Sequence, residues 1–315
     1  MLNIHRIWLF SCLCVVVIVV LYFQSELARL EEGYRLLGKS NRYIIFFSCN
    51  IIKLKDDDDL VVIYNRVPKT GSTSFVLHIN ITANMHVMSL NNQYKFAQNI
   101  TKWQEVKPAL YHGHMAFLNF DRYPLFINLI RKPLDRLVSY YYFLRNGDNF
   151  RPHLVRKKHG DKRTFDECVE LGQPDCDPNN MWLQVPFFCG HSAQKPGNHW
   201  ALQQAKNNLI NHYLVVGVTE DMLDFVSVLE ATLPRFFRGA TDHYLKSNKS
   251  HLRLTSSKIE PNQRTVDKIQ QSTIWRMEND LYEFALEQFK FLKKKVLGKD
   301  GNVAQTYFYE KIRPK

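Results

Sequence analysis

Apolar runs of strand length that alternate with helical segments predict an α/β fold with a mainly parallel central sheet over residues 60–315. Three places carry that reading. Leu60 to Arg66, LVVIYNR, is an apolar run followed by a loop and by the hydroxyls of Ser72, Thr73 and Ser74, which offer a helix start. LFINLIR, residues 125–131, leads into Pro133, a residue suited to the first turn of a helix, and LDRLVSYYYFLR continues that helix. LVVGVT, residues 214–219, is followed by the amphipathic run from Glu220 to Leu233. With 315 residues, 45% of them hydrophobic, the chain can bury one large core, and no internal repeat divides it.

The segments ahead of this domain read differently. From Ile7 to Phe23 there are seventeen residues without a charge, near the lower limit for a spanning helix. His5 and Arg6 precede the run and Glu26, Glu31 and Glu32 follow it, so the positive-inside rule leaves residues 1–6 as a cytosolic tail and puts the bulk of the chain in a lumen. No small-x-small site marks the exit into Gln24, Ser25 and Glu26, which favours an uncleaved anchor over a signal peptide. Residues 24–59 then form a stem. Within it, Leu27, Leu30, Tyr34 and Leu37 make one apolar seam, either a short coiled coil that promotes oligomerisation or a marginal solvated helix. Asp56 to Asp59 read as a solvated linker. Asn80, Asn99 and Asn248 each head a glycosylation sequon, which agrees with a lumenal domain.

Forty-two Lys and Arg against 30 Asp and Glu give a formal net charge of +12, concentrated at Arg151, Arg156, Lys157, Lys158, Lys162 and Arg163. Such a surface favours a polyanion. In the secretory pathway that partner is a glycosaminoglycan rather than a nucleic acid. Of six cysteines, Cys12 and Cys14 fall in the anchor and Cys49 in the stem. Cys168 and Cys176 enclose a short loop that a disulfide can close in an oxidising lumen, while Cys189 has no evident partner. There is no CxxC pair and no HExxH, so no metal is expected.

The residues that suggest chemistry start at Arg66-Val-Pro-Lys69-Thr70-Gly71-Ser72-Thr73-Ser74. Gly71 admits an anion close to the backbone, the hydroxyls and amides donate to it, a following helix N-terminus adds its dipole and Lys69 adds a point charge. The lysine precedes the only glycine, so this is not a Walker A loop and a P-loop NTPase is disfavoured. An ordinary polar turn is the plainer reading. Arg131 at a strand end and Ser139 on the next helix can converge on one phosphate; alternatively Arg131 pairs with Asp135. His112 and His114 lie in Tyr-His-Gly-His, and a neutral histidine is suited to take a proton near neutral pH, although lone histidines are more often packed or exposed without a role.

RVPKTGSTSF, YHGHMAF, INLIRKPLDRLVSYYYFLR, FFCGHS, FFRGAT, SHLR, MENDLYEFALEQF and YFYEKIRPK together resemble the heparan sulfate 2-O-sulfotransferase family over nearly all of residues 60–315. The resemblance implies a sulfotransferase fold with a five-stranded parallel sheet and an oligomeric Golgi enzyme. The sulfate donor would be 3′-phosphoadenosine 5′-phosphosulfate (PAPS) and the acceptor the 2-hydroxyl of a uronic acid. It further implies that Lys69 to Ser74 hold the 5′-phosphosulfate, with Lys69 stabilising the leaving oxygen. Arg131 and Ser139 would hold the 3′-phosphate, His114 would be the catalytic base with His112 in support, and Arg66, Arg151, Arg156, Arg253 and Lys311 would bind the polysaccharide.

The chain also departs from that pattern. VLHINI follows Phe75 directly, where the family carries a helix of roughly fifteen residues. Asp121 to Tyr123 is shortened, Lys132 replaces an acidic residue, and the cysteine expected to pair with Cys189 is missing. Three functions therefore stand beside each other: an active heparan sulfate enzyme, a uronyl 2-O-sulfotransferase acting on dermatan or chondroitin sulfate, and a heparan sulfate-binding homologue with impaired catalysis.

Overall fold

The computed structural model describes residues 60–73, 75, 86–90, 108–120, 124–149, 151–190, 195–246, 255 and 257–298, all within the compact unit Ile52–Lys315. The anchor, the stem, Ser74, Arg253, Lys311 and the sequons at Asn80, Asn99 and Asn248 lie outside the described residues.

The sheet has five strands: β1 (Val61–Asn65), β2 (His86–Leu90), β3 (Ala109–Gly113), β4 (Leu125–Ile130) and β5 (Tyr213–Val218), ordered β2-β3-β1-β4-β5. Every neighbouring pair is parallel. β1 and β3 are buried along their whole length and β4 and β5 nearly so, as expected of a parallel sheet covered on both faces. The three strands read from apolar runs are present, displaced by a residue at their ends. β3 was not read from the residues, because ALYHG is short and carries no alternation. The resemblance supplied the strand number.

Around the sheet lie α1 (Pro133–Asn146), α2 (Phe165–Glu170), α3 (Gln184–Cys189), α4 (His199–His212), α5 (Met222–Thr232), α6 (Pro234–Phe237), α7 (Ala240–Lys246), α8 (Gln263–Gln270) and α9 (Thr273–Leu297). α1 starts at Pro133 without a side-chain cap, consistent with proline's missing donor and preset φ at a first turn. The expected run from Glu220 to Leu233 resolves into a short 3-10 turn, Thr219–Asp221, and α5. Cys168 and Cys176 are joined by a disulfide beside a capping box at Thr164 and Glu167, and Cys189 is buried and unbridged.

The strand order determines where a ligand can enter. The chain leaves β1 toward β2 on one side of the sheet and leaves β4 toward β5 on the other, so the loops after these two adjacent strands part company. A crevice opens at their carboxyl ends, the usual binding place of an open α/β sheet.

Candidate active site

The loop after β1 is closed by its own side chains. The Thr70 hydroxyl donates to the Val67 carbonyl at 3.0 Å, the Ser72 hydroxyl lies 3.1 Å from the same oxygen, and the two hydroxyls are 3.1 Å apart. Both residues are buried. Here these hydroxyls shape the turn, while Thr73 Oγ1 accepts from Arg66 at the loop's end. Lys69 and Gly71 hold φ of 69° and 75°, a left-handed pair that a lysine adopts only at a cost in strain. A Cβ on Gly71 would stand 2.8 Å from Met222 Cε, so α5 closes over the glycine. A helical turn follows, with the Phe75 amide donating to the Gly71 carbonyl at 3.3 Å. A helix start is therefore present despite the short passage after Phe75; residues 76–85 lie outside the described residues.

The two crevice loops are tied together. Thr219 Oγ1 lies 3.0 Å from both the Thr70 and the Ile130 carbonyls. Arg131 Nη1 donates to the Lys69 carbonyl at 3.4 Å, which replaces the alternative of an Asp135 ion pair for that nitrogen. The Arg131 backbone is itself gripped twice: its amide donates to Gln184 Oε1 and its carbonyl accepts from Gln184 Nε2, each at 2.9 Å. Gln184 in turn sits at the start of α3, where Glu278 of α9 accepts from the amides of Leu183, Gln184 and Val185 at 2.8, 3.2 and 3.0 Å. Burial pushes the Glu278 carboxyl up, a shift that the neighbouring Arg136 guanidinium opposes. A fully buried glutamate 147 positions away in sequence thus anchors the arginine that faces the cleft.

Arg66, immediately after β1, organises the histidines. Its guanidinium lies 3.3 Å from His112 Nδ1 and donates to Thr73 Oγ1 at 3.3 Å. Because a guanidinium only donates, His112 Nδ1 accepts. Burial, then the Arg66 and His114 charges, push the His112 pKa down to about 4, so it is neutral at working pH. His114 is exposed just past β3, with Nδ1 2.8 Å from the Arg66 carbonyl. A carbonyl only accepts, so Nδ1 carries a proton, and in the neutral ring the lone pair then lies on Nε2.

A cleft of about 960 Å³ is lined by Arg66, Lys69, Thr73, His114, Arg131 and Ser139, with an acidic wall that includes Glu220 and Asp224. Glu220 accepts from the Lys132 amide at 3.1 Å and from the Tyr282 hydroxyl at 3.2 Å, and Asp224 pairs with Lys293. The volume suits a nucleotide-sized ligand, and three cations grouped with loop amides suit its anionic groups. Arg151 and Arg156 are not among the cleft-lining residues. The Arg151 amide donates to Asp148 at 3.0 Å, and Arg156 lies 3.8 Å from the same buried carboxylate. Among the described residues, no group of three His, Cys, Asp or Glu side chains is arranged to hold a metal ion. Sequence reasoning missed Gln184, Glu278 and Thr219, whose partners are far away in the chain.

A sequence model of the sulfotransferase family matches residues 53–285. The chain belongs to the sulfotransferase family. Its relatives include the Drosophila melanogaster protein named heparin sulfate O-sulfotransferase, 61% identical over 280 residues that cover 82% of this chain and 80% of the relative. Heparan sulfate 2-O-sulfotransferase 1 of Gallus gallus is 50% identical over 336 residues, and that of Homo sapiens 49% over 333, each covering 95% of this chain and 94% of the relative. Both vertebrate alignments are longer than the 315 residues of this sulfotransferase, so those relatives carry segments that it lacks. A solved mouse sulfotransferase in complex with PAP aligns over 73% of this chain and 91% of its own, with a TM-score of 0.38 at 12% identity, a likeness that adds nothing to the assignment.

Proposed function

We propose that this sulfotransferase transfers the sulfuryl group of PAPS to the 2-hydroxyl of a uronic acid, preferably iduronate, in heparan sulfate. The observation that carries the proposal is the convergence of Lys69, Arg131 and His114 on one cleft, with His114 Nδ1 held by the Arg66 carbonyl so that the neutral ring offers Nε2 as the base. The names of the relatives support the acceptor.

The donor brings an activated sulfuryl group. His114 Nε2 takes the proton of the acceptor hydroxyl as that oxygen bonds to sulfur; the bond from sulfur to the bridging oxygen breaks, and the leaving charge is neutralised by Lys69. The loop amides with Thr73 hold the 5′ end, and Arg131 with Ser139 holds the 3′-phosphate. The neutral His112 accepts from Arg66 and thereby keeps the guanidinium beside the base. Arg66, Arg151, Arg156, Arg253 and Lys311 bind the polymer's sulfates and carboxylates.

The same reading places the catalytic domain in the Golgi lumen as a homo-oligomer, anchored through residues 7–23 and glycosylated at Asn80 and Asn99. It is supported by the uncharged run, the flanking charges and the sequons. The short passage after Phe75 favours a second reading, a heparan sulfate-binding homologue with impaired catalysis. Transfer of label from PAPS to desulfated heparin decides between them: robust incorporation supports the enzyme, and heparin binding without incorporation overturns it. Preferential labelling of dermatan or chondroitin would reassign the acceptor.

A further inference from the structure

Phe143 lies on the cleft-facing stripe of α1, with Asp135 and Ser139 preceding it at helical spacing of four. Two cations share its ring. The Lys69 ammonium is 4.3 Å from the ring centroid and the Arg156 guanidinium carbon 4.2 Å. Lys69 belongs to the loop after β1 and is constrained by its left-handed backbone and by Arg131 on its carbonyl. Arg156 belongs to the basic segment after α1, where buried Asp148 holds its other side; its side chain is only 14% exposed.

The face of an aromatic ring is electronegative, so it attracts a cation, and more strongly where water is excluded. A ring polarised by one cation holds a second less tightly, and the two cations repel each other, so the positions of Lys69 and Arg156 depend on one another through Phe143. We propose that Phe143 is a positioning residue that couples the donor side of the cleft to the polymer side: it sets Lys69 for the phosphosulfate and Arg156 for the polysaccharide, and occupancy of either cation changes the hold on the other. This deepens the proposed function and rests on it for the two ligands. An apolar side chain of similar size would fill the same space but lacks the quadrupole. The proposal therefore separates from a purely structural role.

The test compares Phe143→Leu with Phe143→Tyr in the full chain, using steady-state transfer to desulfated heparin, calorimetric titration with PAP and elution from immobilised heparin. Phe143→Leu is expected to lower kcat/KM for both substrates by roughly three- to tenfold, and Phe143→Tyr to stay within about twofold of the parent. In a Lys69→Ala background the leucine should cost no further PAP affinity, and in an Arg156→Ala background no further heparin retention. Equal effects of leucine and tyrosine, parental behaviour of leucine, or additive losses in both backgrounds would overturn the proposal. Should Phe143→Leu fail to fold by circular dichroism, Phe143→Met takes its place in the same comparison. If the parent binds PAP and heparin but transfers no sulfate, the proposed function fails while the two binding cycles still decide the role of the ring.

Discussion

The cleft edge of the sheet and the basic segment of residues 151–163 are built in opposite ways. At the edge, each functional group hangs from buried backbone: Arg131 from Gln184 and Glu278, His114 from the Arg66 carbonyl, the loop after β1 from its own hydroxyls. The basic segment has no helix or strand; apart from turn bonds and one backbone bond from the Lys158 amide to the Leu144 carbonyl at 3.0 Å, it is held by charge. Buried Arg145 reaches Asp161 at 2.9 Å and Asp175 at 2.8 Å while its guanidinium carbon lies 3.6 Å from the Tyr141 ring centroid, and Lys158 adds a 3.4 Å contact to Asp175. Groups that must meet a reacting atom need tenths of an ångström and get them from the sheet. Groups that meet a polymer need only a fixed field, which a few ionic anchors provide.

The largest expected effect breaks the second region. Arg145→Ala leaves two carboxylates without their shared cation and should cost about 3 kcal/mol of stability in urea unfolding, with heparin retention falling alongside. A loss under about 1 kcal/mol, the value of a surface pair, would mean that charge does not hold the segment. Next comes the edge: His114→Ala should lower turnover on the order of 10²-fold while heparin elution stays as in the parent, since the base acts on one proton. Near-normal turnover would remove His114 from the reaction. Gly71→Ala should cost about 1–2 kcal/mol through its left-handed φ and weaken PAP binding, measured by calorimetry. Unchanged PAP affinity would show that the loop tolerates a shift.

Acid separates the two regions. The folded His112 pKa is about 4 against an ordinary 6.5, so its contribution to stability is complete above 6.5 and is lost as pH falls toward 4, where the unfolded chain takes a proton that the folded one refuses. The Asp175 pKa is also lowered, here because its charged form is favoured, and its contribution too is lost in acid. Burial raises its pKa, yet the hydrogen bond from Arg145 and the Lys158 charge outweigh this and hold it below the ordinary 3.8, so its contribution disappears only as pH falls through that depressed value. Unfolding titrations should show an edge component between pH 6.5 and 4 that His112→Gln abolishes, and a lower component that it leaves in place. A single component insensitive to His112→Gln would contradict the assignment.

Much of the edge was legible before any coordinates. LVVIYNR, LFINLIR and LVVGVT announce buried parallel strands because a strand covered on both faces needs apolar side chains at every position. Pro133 marked the start of α1 to the residue, and the Cys168–Cys176 spacing foretold the disulfide. The role given to His114 comes only from the family resemblance, since its motif carries no period and β3 too little alternation. That the Thr70 and Ser72 hydroxyls also close the turn on the Val67 carbonyl was not legible, because a residue type shows capacity to donate and not the direction in which it donates.

The sequence by itself determined the class of fold, the loop-bearing strands, the basic surface and, through its resemblance, the family. These follow from periodicities and motifs local to the chain. The tertiary structure alone decided which carbonyl fixes the His114 tautomer, which glutamate anchors Arg131 and which ring Lys69 shares with Arg156. Most of those contacts join residues far apart in the chain, up to 95 positions for Glu278 and Leu183, and the strand order, which brings the ends of β1, β3 and β4 side by side, helps to place them within bonding distance.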